Sequence, residues 1–422
     1  MRWVNCIQLR TNYQRWQPEC RITINRLHFI KQRFIKMSRR QQTKSEFAFP
    51  TVIKCLIGVM IMALQIHTSL AWHLAQTGLT EPYRVRHLAL YYTRVFLCIS
   101  VESELFPTLI ATKWPENYVP LQSAIYPHRF AHANGNRSDC ELIQKAIWTQ
   151  VDNLGRLWVF DAGWEPKQSV SEGEAEKAMK FCAPKLLVYD LIRNDAEVLR
   201  IDCSRYLTPK DSEKLVIKLG PSPALCKVEK YVYFLRPDDA HILAYDIVEQ
   251  KWRRRALLSR KFQGIIEAPF PIKPIDIAFG QQRELLFADA DGKLYATPNS
   301  QLKTKTKEIK EITNDLNAKQ LELTELTADD EPNAIELELL GSLLGPSKGM
   351  MMDARTGELF YAVPKYGAIV RCELQRNLTA EDNEIVYFTS KNIQQIFFGL
   401  SGAVWLLTDR LLEPADHCFA NI

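Results

Sequence analysis

Asp152-Asn-Leu-Gly-Arg-Leu-Trp-Val159 reads as a turn that delivers a bulky strand. Asp and Gly suit a tight reversal, the Gly supplying positive φ, and Leu157, Trp158 and Val159 are apolar residues of the kind that fill buried strands. The same loose unit recurs as Val95-Phe-Leu97, Tyr231-Val-Tyr-Phe-Leu235, Arg283-Glu-Leu-Leu-Phe287, Asp353-Ala-Arg-Thr-Gly-Glu-Leu-Phe-Tyr361 and Leu400-Ser-Gly-Ala-Val-Trp-Leu406. The spacing between units, roughly 45 to 75 residues, is that of a four-stranded blade with variable loops. No helical period dominates after residue 80. The expected fold class is therefore all-β, a six-bladed β-propeller. Further strands, Lys185-Leu-Leu-Val-Tyr-Asp-Leu191 and His241-Ile-Leu-Ala-Tyr-Asp-Ile247, end in Tyr-Asp before a charged turn. Either the Asp accepts turn amides there, or Tyr-Asp is merely a common strand exit. Gln301 to Leu340, rich in Lys, Glu and Leu, is read as a charged, solvated insertion between blades 4 and 5. Within it Lys305 to Leu323 suits an amphipathic helix, with a partner-binding helix as the alternative.

The 422 residues, 46% hydrophobic and 24% charged, can bury a large core and are too ordinary in composition for disorder. Residues 1–71 carry 12 Lys and Arg against Glu19 and Glu46, a net +10, so the chain's overall +5 leaves −5 for the remainder. A folded part of that charge argues against a nucleic-acid partner. The basic segment ends in the apolar run Cys55 to Leu64 and the small-residue tripeptide Ser69-Leu-Ala71. That order describes a secretory signal, and Gln65 and His67 interrupt the run too early for a spanning helix of about 20 residues. An uncleaved anchor is the alternative.

Two domains are thus expected. Residues 1–71 form a basic upstream extension and signal peptide, for which Met37 is a better-proportioned start than Met1, and residues 72–422 form the propeller. The product is expected outside the cell, free of the membrane after cleavage, with Trp72 at its start. Removing Cys6, Cys20 and Cys55 leaves seven cysteines, Cys98, Cys140, Cys182, Cys203, Cys226, Cys372 and Cys418. An odd number leaves at least one free or bonded to a partner chain. Their wide spacing favours disulfides over zinc. Asn136-Arg-Ser138 and Asn377-Leu-Thr379 are glycosylation sequons, making Asn136 and Asn377 candidate acceptors.

The run Ile147 to Trp164, preceded by Asp139-Cys140 and followed by Cys182 to Leu191, resembles the insect yellow and major royal jelly protein family. Ala244-Tyr-Asp-Ile-Val-Glu-Gln-Lys-Trp-Arg253, Gly367-Ala-Ile-Val-Arg-Cys372 and Val404-Trp-Leu-Leu-Thr-Asp-Arg410 are similar to later segments of that family, so the resemblance covers roughly residues 82 to 412. It implies a secreted six-bladed propeller and a bond between Cys140 and Cys182. Cys203 with Cys226 and Cys372 with Cys418 are further candidate pairs. Two stretches depart from the family pattern, Ile99 to Pro107 and Pro346 to Asp353. Both lie near the channel faces in the family, so no ligand site is carried over from it.

No nucleophile elbow, His-Glu-x-x-His, phosphate-binding loop or calcium-loop spacing is found. His128, His132, Asn134, Asn136 and Asp139 form the densest polar cluster, read as a solvated loop in preference to a metal site. Asp289, Asp291 and Gly292 are read as a turn, with too few oxygens for calcium. No catalytic, cofactor or metal-binding residues are assigned. The function expected from the resemblance is a non-catalytic extracellular one in cuticle or eggshell matrix assembly, hardening or pigmentation. Its expected partners are matrix proteins and a small aromatic amine or catechol-derived ligand. The alternative is a dopachrome-converting isomerase of the melanin pathway, which would need a positioned base.

Overall fold

The computed structural model of the protein describes residues 72–73, 83–101, 107–114, 123–133, 139–165, 181–220, 231–263, 266–281, 284–298, 333–375, 377–399, 402–408 and 411–415. Nearly all of the regular structure in them is β. After Trp72–His73 (β1), one antiparallel meander comprises Tyr83–Tyr91 (β2), Arg94–Val101 (β3), Leu109–Lys113 (β4) and Ala124–Ile125 (β5). The next comprises Ala146–Val151 (β6), Arg156–Asp161 (β7), Lys185–Asp190 (β8) and Ala196–Asp202 (β9). Val216–Gly220 (β10), Tyr231–Leu235 (β11), His241–Asp246 (β12) and Lys251–Gln263 (β13) follow, with Ile266–Pro271 (β14) folding back on β13. Then come Pro274–Phe279 (β15), Glu284–Asp289 (β16), Lys293–Pro298 (β17) and Asn333–Ser342 (β18), and after them Lys348–Met352 (β19), Glu358–Val363 (β20), Ala368–Glu373 (β21) and Glu384–Phe388 (β22). Ile393–Phe398 (β23), Val404–Thr408 (β24) and Leu411–Pro414 (β25) end the chain's described part, and β1 completes their sheet by pairing with β25, Trp72 opposite Leu412.

The recurring sequence unit occupies the same place each time, the second strand of a meander: β3, β7, β11, β16, β20 and β24. Such a strand has sheet neighbours on both edges and other meanders against both faces, so it needs a continuous apolar run instead of alternation. All five residues of β11 are buried, as are five of the six in β7. The fourth strands face solvent on one side and read accordingly, with β9 (Ala-Glu-Val-Leu-Arg-Ile-Asp) mostly exposed.

Apolar clusters fill the gap between each meander and the next. Trp158 and Phe160 pack with Val232 and Phe234, and Tyr233 and Leu235 with Ile277 and Phe287. Leu407 and Leu412 of the final sheet pack on Leu88 and Val95 of the first, so the series of blades returns to its beginning. Burying this apolar surface is the main favourable term in holding the ring shut.

Two expectations about the blades are corrected. The meanders β10–β13 and β15–β18 are joined in one nine-stranded sheet by parallel pairing of β13 with β18, Leu257 opposite Ile335. The length of β13, 13 residues, carries it past β12 to reach this neighbour, and Ser259 Oγ donates to Leu337 O at 2.9 Å across the junction. The charged insertion, placed at Gln301 to Leu340 between blades 4 and 5, instead interrupts a single meander. Residues 333–340 belong to β18, which returns to pair antiparallel with β17, Tyr295 opposite Leu339. The expected helix at Lys305 to Leu323 lies outside the described residues.

Candidate functional site

The stretch that marks the family resemblance is a structural knot. Asp152 Oδ1 accepts from the amides of Leu154 and Arg156, and its Oδ2 from Arg156 Nε and the indole of Trp158. Gly155, at φ 73°, closes this turn in the left-handed region. Asp161 accepts from the amides of Gln144, Lys145 and Gly163 and lies 3.2 Å from Lys185 Nζ, both side chains being buried. Lys185 also donates to the carbonyls of Cys140 and Leu142, which anchors the Cys140–Cys182 disulfide to the β7–β8 pair. The Tyr-Asp pairs use the same chemistry: Asp190 accepts from Ile192 and Arg193, and Asp246 from Val248 and Glu249. The Asp is thus a turn acceptor in both. Asp289 holds the amides of Asp291 and Lys293 in its hairpin, in keeping with turn chemistry.

Of the other singled-out residues, Cys203 and Cys372 are free, buried thiols, as is Cys98. Cys226 and Cys418 lie outside the described residues. Burial pushes all three thiols up, Cys372 to about 12, which keeps them protonated and unreactive. Asn377 is exposed at φ 61°, and Asn136 lies outside the described residues. The two histidines of the polar cluster separate: His132 is buried with Nε2 2.8 Å from Tyr126 O, while His128 is exposed. Among the described residues no group of three or more His, Cys, Asp or Glu is placed to hold a metal.

The candidate site lies elsewhere, where the first strand of every meander converges. β2, β6, β10, β15, β19 and β23 line one cavity of about 580 Å³. Trp148, Phe279, Phe397 and Phe398 furnish aromatic wall, and Met350, Met351 and Met352 bring one of the two stretches that depart from the family pattern. Neighbouring inner strands are cross-tied by side chains: the Gln395 amide bonds both backbone groups of Leu88, and Gln150 accepts from the Leu219 amide.

Two titratable groups, Lys218 and His87, line this cavity and a third, Asp276, is buried within electrostatic reach of Lys218; none of the three is singled out in the sequence. Lys218 of β10 reaches beyond β15 to donate from Nζ to Met350 O of β19 at 3.1 Å. It is enclosed by protein, yet the half-buried side chain keeps surface at the cavity it lines. Burial lowers its affinity for a proton, opposed by the negative charge of Asp276. Asp276 is buried in β15 and accepts from the amides of Met350 at 2.8 Å and Ile277 at 2.9 Å. Burial raises its pKa, opposed by Lys218 and those amides. His87 of β2 lies 6.0 Å from Trp148, ring centre to ring centre. Burial and then the charge of Lys218 lower its pKa to about 3 against the opposing pull of the Thr149 carbonyl, so the imidazole is neutral. Its Nδ1 and the Thr149 Oγ1 are buried without a hydrogen-bond partner. The cavity therefore offers aromatic walls, one amine, one neutral imidazole and unused polar atoms. That is a setting for a small, largely planar ligand with oxygen functions.

The only signal for Lys218 and Asp276 in the sequence is a polar residue within an otherwise apolar inner strand, as in Val216-Ile-Lys-Leu-Gly220, and His87 follows two arginines in its own strand. Alternation produces such residues throughout a β protein, so the pattern alone does not single them out.

The profile of the family described as Major royal jelly protein matches residues 144–261, which span β6 to most of β13 and are consistent with the yellow and major royal jelly proteins. No curated protein matches the sequence. Among solved structures, a luciferin-regenerating enzyme is similar at 9% identity, TM-score 0.42, over 82% of this chain and 95% of that one. A catalytically inactive virginiamycin B lyase from Staphylococcus aureus with quinupristin is 11% identical, TM-score 0.38, over 81% and 97%. A protein of unknown function from Bacteroides thetaiotaomicron VPI-5482 is 10% identical, TM-score 0.44, over 82% and 75%. Among the described residues no helix is long and apolar enough to cross a membrane.

Proposed function

We propose that this chain is a secreted six-bladed propeller of the yellow and royal jelly kind that binds a small catechol-derived ligand in its central channel without a chemical step of its own. The observation that carries the reading is the convergence of the inner strands on one cavity of about 580 Å³, a volume suited to a small molecule, with aromatic side chains beside Lys218 and His87. Each apolar wall offers stacking surface, and the unpartnered polar atoms offer hydrogen bonds that catechol oxygens would complete. Lys218 offers N–H donors to a carboxylate, a phenolate or a carbonyl of the ligand. Bound pigment precursors and the exposed sequon at Asn377 suit a role in cuticle or eggshell matrix, where neighbouring matrix proteins are the partners. The Trp72 pairing in the final sheet accords with cleavage after Ala71.

A second reading, conversion of dopachrome, draws on one observation: a neutral His87 with a free Nδ1 stands near an amine, an arrangement able to move a proton on a bound ring. One experiment separates the readings. Purified protein is mixed with dopachrome and with 3,4-dihydroxybenzoate. Saturable thermal protection by the benzoate, without accelerated loss of dopachrome absorbance, supports the binding reading. Accelerated loss that disappears in His87→Gln supports the enzyme, and the absence of both effects overturns the channel as a ligand site.

A further inference from the structure

Lys218 has a setting that a structural lysine does not need. Among the described residues its Nζ has one hydrogen-bond partner, Met350 O, and no carboxylate within ion-pairing distance. A protonated amine has three hydrogens to satisfy, whereas a neutral amine gives one to Met350 O and keeps its lone pair and second hydrogen for the cavity. The charged groups around it come from two other inner strands, Asp276 of β15 and His87 of β2, and the imidazole is neutral. Such an arrangement, an amine short of partners at the wall of an aromatic cavity, matches that of lysines that attack carbonyl carbon.

We propose that Lys218 captures carbonyl-bearing aromatic ligands, aldehydes above all, as a reversible imine inside the channel. This rests on the reading of the channel as an aromatic ligand site. The lone pair of Nζ adds to the carbonyl carbon to give a carbinolamine. The nitrogen then loses a proton, the former carbonyl oxygen leaves as water, and a C=N bond replaces C=O. No electrons are gained or lost, and water returns the free aldehyde. The proton that leaves nitrogen reaches the departing oxygen through solvent. Trp148 and Phe279 line the cavity for the ring of the ligand. A propeller so equipped would retain aldehydes of the kind formed when aromatic amines are oxidised, holding them from other nucleophiles.

The test uses the intact protein, 4-hydroxybenzaldehyde as the carbonyl probe and 4-hydroxybenzyl alcohol as a probe of the same shape lacking the carbonyl. Cyanoborohydride reduces any imine to a stable amine, and peptide mapping locates it. The expected result is preferential labelling of Lys218, by about tenfold over the exposed Lys251 and Lys293, because the cavity presents the bound aldehyde to one amine. Excess alcohol should suppress that labelling and leave the exposed sites unchanged. Lys218→Arg should lose the site-specific adduct. If the alcohol binds to the native protein but adducts appear only on exposed lysines, the imine is overturned and the channel reading stands. If the alcohol does not bind and Lys218 is not labelled, both fall. Because the decisive mapping is done on the native chain, a poorly folded variant does not blunt the outcome.

Discussion

Acidification is the perturbation that interrogates the channel most directly, through His87. In the folded protein its pKa is lowered from 6.5 to about 3, burial being the larger cause and Lys218 the next. A depressed histidine binds its proton more readily in the unfolded chain. Its contribution to stability is therefore complete above pH 6.5 and is lost progressively as pH falls toward 3. A displacement of this size corresponds to on the order of 5 kcal/mol between the two limits, and to about 3 kcal/mol at pH 4. Asp276 acts in the opposite sense, since its raised pKa lets the folded state take up a proton more readily, so native acid sensitivity is a balance of both groups. Comparison with His87→Gln isolates the histidine, because the amide does not titrate while Asp276 and Lys218 remain. Urea denaturation at half-unit steps from pH 7 to pH 4 is the assay. The native protein should lose more stability than the variant across this range, the difference growing to about 3 kcal/mol at pH 4. Parallel curves for the two proteins would refute the placement of His87 as a buried neutral imidazole.

The knot around the disulfide yields three further expectations. Asp161→Ala strands the amides of Gln144, Lys145 and Gly163 and leaves Lys185 buried without its counter-ion, which should cost about 3–5 kcal/mol in denaturant melts, with partial recovery on adding Lys185→Met. Replacing Cys140 and Cys182 together by serine should cost about 3–4 kcal/mol by the chain-entropy account, read from the same melts run without reductant. Gly163→Ala should destabilise by about 2 kcal/mol or more, because φ is 73° and the added Cβ would lie 2.1 Å from Cys182 O; thermal unfolding of the variant measures it.

The recurring turn-and-strand unit could be read directly because the middle strands of a blade are buried on both faces, and burial imposes an apolar run that is visible residue by residue. Leu157, Trp158, Val159 and Phe160 are all fully buried for that reason. The Asp of each Tyr-Asp pair was legible as one of two readings, because the amides it caps lie only two or three residues away, and the structure decides for the turn acceptor. Merging of β13 with β18 was hidden because their pairing joins residues 78 apart across the charged insertion, and neither strand alone states its neighbour.

What the sequence by itself determined, then, is local and periodic: an all-β chain of repeated units, a signal-like start, a family resemblance centred on Ile147 to Trp164, and the places where tight turns fall. Only the tertiary structure decided where a ligand would sit. His87, Lys218 and Asp276 lie on three inner strands, as far apart as 189 residues in the chain, and each is an ordinary polar residue in its own segment. Closure of the ring brings His87 and Lys218 to one cavity with Asp276 buried nearby, where burial lowers the proton affinity of the amine and the imidazole, raises that of the carboxylate, and leaves the amine and imidazole short of partners. Proximity and burial of that kind are properties of packing between blades, to which no single strand has access.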